Sequence, residues 1–135
     1  SRGTYQSPTN VQDGDRVGGF YARYYYDGVY RRSAGIQMYV GTGTGVNSYP
    51  SFIAFETTNV GEIERSERMR ISEVGNIGVG TSAPKSKIHV TNGDVYIDNA
   101  SKGVIMKSPD GTCWRMTVDN AGAPVFTTVV CPENE

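Results

Sequence analysis

Six carboxylates, Asp13, Asp15, Glu56, Glu62, Glu64 and Glu67, are the groups from which acid–base chemistry would have to be built. A glycosidase needs two of them about 5 to 10 Å apart across the scissile bond, and spacing along the chain does not set that separation. Most lie in polar, turn-rich stretches where a solvated carboxylate is the ordinary state, so no catalytic residue is assigned and no enzyme activity is expected. The lone His89 has no second His or Cys nearby and reads as structural or solvent-facing. Gly41, Gly43 and Gly45 (GTGTG) imitate a phosphate-binding loop, but the Gly-Lys-Ser/Thr ending and the following helix are missing, which leaves a surface turn. Cys113 and Cys131 have no histidines at zinc-ligand spacing, so neither a metal nor another cofactor is expected.

The richest constellation for contact with a partner is Tyr21, Arg23, Tyr24, Tyr25, Tyr26, Tyr30, Arg31 and Arg32. Aromatic faces stack on the C–H faces of sugars, and Arg and Tyr supply hydrogen bonds and cation–π contacts around them. The same residues would serve equally as the two sides of a sheet, and alternation requires some of them to pack inward.

These residues must be carried by strands. Leu is absent, and Gly (17) and Tyr (9) are plentiful, which leaves little material for helices. Val17–Tyr26 reads as a strand turned by Asp27-Gly28 into Val29–Arg32. Ala34, Ile36, Met38 and Val40 alternate cleanly, Gly41–Ser48 is a loop, and Ser51–Thr57 is a strand with apolar residues on both sides. After the charged loop Asn59–Ser66 come Met69 and Ile71, alternating with Arg68 and Arg70, and then Ile77 and Val79, alternating with Asn76, Gly78 and Gly80. The glycine side of that strand invites close approach by other backbone, and a second copy of the chain is the natural candidate. Ile88 and Val90 follow, and Gly93–Ile97 echoes Gly75–Val79 as a further alternating strand carrying Val95 and Ile97. Gly103–Lys107, the turn Ser108–Gly111 and Thr112–Val118 make a hairpin with Trp114, Met116 and Val118 on one face. Trp114–Val118 and Val125–Val130 make the next. In that last hairpin the two cysteines could come close enough to bridge.

The expected fold is therefore all-β, with short antiparallel strands and hairpins and almost no helix. Residues 1–16 read as an arm or linker, 17–66 as a β-sheet domain, 67–92 as a glycine-paced segment and 93–135 as a C-terminal hairpin tip. The polar opening without Met suits a piece of a longer chain. Each strand in the second half offers about two apolar side chains, worth roughly 3 to 6 kcal/mol, against ordering costs of about 1 to 2 kcal/mol per residue. A single copy is marginal there, and several copies around an axis would let Met69, Ile71, Ile77, Val79, Ile88, Val90, Val95 and Ile97 meet their equivalents. A formal charge of −1 favours neither nucleic acid nor an anionic membrane, and no apolar run approaches the length of a membrane span.

The order ERMRI (67–71), GNIGVGT (75–81), a small-residue–Pro step and KIHV (87–90), preceded by AGIQM (34–38) and PSFIAFETT (50–58), resembles a segment of tail fibres and tailspikes of tailed bacteriophages. The resemblance covers roughly Ala34–Val90. It implies an intertwined homotrimeric β fibre or sandwich, residues 67–92 as its trimerising segment, a place in the virion tail after assembly in the host cytoplasm, and neighbours among other tail proteins. It implies adhesion to the bacterial surface, with polysaccharide the receptor, for which the Tyr/Arg cluster is the candidate contact on its residue types. The alternatives are a carbohydrate-binding or trimerising accessory part of a depolymerising tailspike, or a purely structural fibre or adaptor. Maturation in a reducing cytoplasm favours free thiols at Cys113 and Cys131 over a bridge.

Overall fold

In the computed structural model, residues 2–4 and 6–132 are described. The protein is all-β, and no helix occurs among the described residues. The strands are β1 (Arg2–Gly3), β2 (Pro8–Thr9), β3 (Arg16–Tyr26), β4 (Val29–Val40), β5 (Ser51–Thr58), β6 (Arg65–Ile71), β7 (Ile77–Val79), β8 (Ile88–Val90), β9 (Val104–Lys107), β10 (Cys113–Val118) and β11 (Pro124–Val129). They fall into two compact units, Ser1–Gly93 and Asp94–Glu135.

The first unit is a six-stranded sheet in the order β3-β4-β5-β6-β7-β8, with β1 and β2 paired as a separate ribbon. From β3 to β7 the chain meanders, each strand pairing antiparallel with the next. The meander opens at Asp27-Gly28, both at positive φ (49° and 76°), which is the two-residue turn whose twist suits a hairpin. Two strands expected at Val29–Arg32 and Ala34–Val40 run together as β4, because β3 lines its whole length. A register shift between Ala22 and Arg23 leaves Ser33 as the extra residue and lets the ladder continue. β6 begins at Arg65, so residues 67–92 extend this sheet, and Gly14 and Asp15 hydrogen-bond to Val40 at its other end.

β8 joins β7 in parallel, which requires a crossover rather than a hairpin. Residues 80–87 make it, and they pass over Gly78. A Cβ there would collide with the carbonyl oxygen of Thr81 and meet Pro84 Cβ at 3.5 Å. The backbone that comes close to Gly78 is thus the chain's own crossover, not the second copy expected. His89 secures the same loop: Lys85 N–H donates to its Nδ1 at 3.3 Å.

The second unit is a three-stranded antiparallel sheet in the order β11-β10-β9. Cys113 and Cys131 form a disulfide with Cα atoms 5.2 Å apart, which corrects the expectation of free thiols. The strands β10 and β11 pair Cys113 with Val129, so the chain beyond β11 returns to the same spot. Gly93–Ile97 forms no strand, contrary to the echo of Gly75–Val79. The earlier copy is held by β6 through the turn at Ser72–Asn76, whereas Val95 and Tyr96 have no ladder partner and are 74 % and 84 % exposed.

Candidate recognition surface and association face

Register decides what each face of the large sheet carries. One cross-strand row runs Phe20–Ile36–Phe55–Met69–Val79–Val90, and the next runs Gly18–Met38–Ile53–Ile71–Ile77–Ile88. Both rows point to the same side, since they sit two residues apart along every strand. With Gly18 the only exception, twelve positions across six strands form an apolar face, and among the described residues of this unit no second layer covers it: Phe20 is 73 % exposed and Ile88 67 %. Six of the eight expected association residues, Met69, Ile71, Ile77, Val79, Ile88 and Val90, lie on this face. Val95 and Ile97 do not: they belong to the other unit, where they line an apolar cleft of about 330 Å³ with Val104, Met116 and Val118.

The opposite face is sealed by the chain's own polar side chains. Its central row is Gly19–Gln37–Ala54–Arg70–Gly78–His89. Gln37, wholly buried, lies between Gly19 and Gly35, where added Cβ atoms would fall 2.5 and 2.6 Å from its amide, and it accepts from Arg16 Nη1 at 3.3 Å. Tyr39 stacks on Phe52 with ring centroids 5.0 Å apart, and its hydroxyl donates to Glu56 Oε1 at 2.9 Å, roofing over Ala54. Arg65 Nε reaches the other Glu56 oxygen at 3.0 Å. Arg70 holds Glu67 through two hydrogen bonds of 2.7 and 2.6 Å while lying 4.2 Å from the Phe52 ring centroid. The bond to Glu67 raises the Arg70 pKa, and burial, helped by Glu56, raises that of Tyr39.

The expected receptor residues all sit on the β3–β4 hairpin. Tyr21, Arg23 and Arg32 come together: Arg32 lies 4.5 Å and Arg23 5.5 Å from the Tyr21 ring centroid. Tyr25 and Tyr30 pair directly, centroids 5.1 Å apart, on the same side by alternation. Tyr24 and Tyr26 alternate to the apolar side, so they do not join that group. Tyr25, Tyr26 and Tyr30 are each more than 60 % exposed. Beyond Arg32, a cleft of about 440 Å³ is lined by Arg23, Arg31, Arg32 and Arg65 together with Glu56 and Glu64. Arg65 and Glu64 had no place in the sequence-based cluster, because they lie more than thirty positions downstream and only the pairing of Thr58 with Arg65 brings them near.

Two of the six carboxylates considered for catalysis are held in ion pairs: Glu56 with Arg65, with Tyr39 on its other oxygen, and Glu67 with Arg70. Among the described residues no group of three His, Cys, Asp or Glu stands close enough to hold a metal ion. No family model and no curated protein matches the chain.

Proposed function

We propose that this chain is a non-enzymatic, homotrimeric β module of a bacteriophage tail fibre or tailspike, presenting a glycan-recognition surface to the bacterial cell. The carrying observation is the pair of apolar rows on an uncovered face of the sheet. At about 25 cal/mol per Å² such a face is strongly favoured to be covered, and copies of the same chain offer the same shape and chemistry. The edge strand β3 is a poorer route to association, since a register shift near Val17 and the charges of Arg16 and Arg23 discourage strand addition. The number three rests on the likeness of Ala34–Val90 to tail-fibre segments.

The hairpin end supports the recognition role. Its tyrosines are exposed and paired, as a platform for sugar rings requires, and its arginines are presented beside them. Partners under this reading are two further copies, a bacterial surface polysaccharide and other tail proteins, with the virion tail as location and neither nucleic acid nor membrane insertion involved. Sedimentation equilibrium tests the assembly: a species of three times the 14.7 kDa chain is expected, and a compact monomer at all dilutions would sink it. A glycan array tests recognition. Wild type should retain bacterial polysaccharide, and a Tyr25→Ala/Tyr30→Ala double variant should lose it.

A further inference from the structure

The geometry points to a specific ligand class for the arginine cleft: we propose that it binds the carboxylate of an acidic sugar, a uronic or nonulosonic acid within a surface polysaccharide. This rests on the glycan-recognition reading above and adds the chemistry the receptor must carry.

Charge is the first ground. Three guanidinium groups, those of Arg23, Arg32 and Arg65, face one cleft against two carboxylates, whereas Arg31, the register partner of Tyr24, alternates to the other side of the sheet. Glu56 is already taken up by Arg65 Nε and the Tyr39 hydroxyl, and among the described residues Arg23, Arg31 and Arg32 form no ion pair. The cleft is left with a surplus of about one positive charge within a chain whose formal charge is −1. The second ground is an unmet donor. Arg65 Nη1 is buried yet has no hydrogen-bond partner, although its Nε is held in place by Glu56. A buried charged donor left without an acceptor is costly, and a small turn of the Arg65 side chain would offer it to a carboxylate oxygen in the cleft. Preorganisation is the third. Arg23 and Arg32 both lie against Tyr21, which limits their freedom and leaves their N–H forks available for paired bonds to a carboxylate.

The rest of the lining selects a sugar acid over a simple anion. Tyr30 lines the cleft and is braced by Tyr25, giving a ring face for the sugar C–H surface. Glu64 can accept hydrogen bonds from sugar hydroxyls, and Glu64 and Glu56 together repel a dianion such as phosphate more than a monoanion.

The test uses the assembled full chain on an array of bacterial polysaccharides containing uronic acids, each printed beside its carboxyl-reduced form. Binding to the acidic form should exceed binding to the reduced form by tenfold or more. Arg32→Ala should remove most of that preference, and so should Arg23→Ala, which disturbs no side-chain hydrogen bond or ion pair and so guards against misfolding. Free glucuronate should displace the glycan at lower concentration than inorganic phosphate. If a glycan is retained equally in both forms and by both variants, the acidic-sugar proposal is overturned while glycan recognition stands. If phosphate competes better than glucuronate, the carboxylate assignment is overturned. Absence of any glycan binding would overturn both.

Discussion

Tyr39 joins the two halves of the polar face, with its ring on Phe52 and its hydroxyl on Glu56. Burial and the neighbouring carboxylate both favour its neutral form, so its folded pKa lies above the ordinary 10. An unfolded chain would ionise there first, so this contribution to stability is complete below pH 10 and is lost as pH rises toward the folded value. Tyr39→Phe should lower stability at pH 7 by about 1 to 2 kcal/mol, through loss of a charge-assisted hydrogen bond, and should flatten the decline above pH 10. Urea unfolding at pH 7 and pH 10.5 checks both parts, and an unchanged alkaline decline would remove Tyr39 as its source. Glycine makes a second residue-scale contrast. Gly78→Ala must move the backbone of the crossover and should cost about 1 to 3 kcal/mol, whereas Gly45→Ala has nothing within 4 Å and should be nearly neutral. Equal effects in thermal melts would mean that the crossover is not packed on β7 as described.

At the scale of elements, the three-strand sheet of the second unit is small, and its disulfide closes a loop of 18 residues. A bridge of that span restricts the unfolded chain and contributes about 3 kcal/mol. Cys131→Ser should therefore speed amide exchange across β9, β10 and β11 while leaving β3–β6 protected as before. Uniform loosening of both units would show that they are not separate compact bodies. The legible elements were those whose partner is next in sequence: Asp27-Gly28 and the alternation on either side of it define the β3–β4 hairpin, and the turn at Ser108–Gly111 defines β9–β10. Gly93–Ile97 has the same alternation and no adjacent partner, so it stays out of any ladder. The parallel β7–β8 pair was equally hidden, since nothing in GNIGVGT, the small-residue–Pro step or KIHV distinguishes a crossover from a hairpin.

For the whole molecule the decisive quantity is surface. The chain exposes 10626 Å², whereas a compact monomer of 14.7 kDa exposes about 6,900 Å² and two separate compact units of that total mass about 8,300 Å². Among the described residues only Val40, Ala54 and Cys113 are buried hydrophobic residues. Placing a charge in the middle of the apolar face tests what that surplus is for. Ile53→Lys should convert the associated species to monomer in sedimentation velocity and make the melting temperature independent of protein concentration. An unchanged oligomer would assign association to another surface.

Composition and alternation sufficed for the all-β class and for most strands and turns, because period-two patterning and turn chemistry are local properties of the chain. The cleft that joins Arg65 and Glu64 to the hairpin arginines, the burial of Gln37 between two glycines, and the alignment of twelve positions on one face came only with tertiary structure. Each depends on register between strands, and a slip of one residue would have sent every one of those side chains to the other side of the sheet.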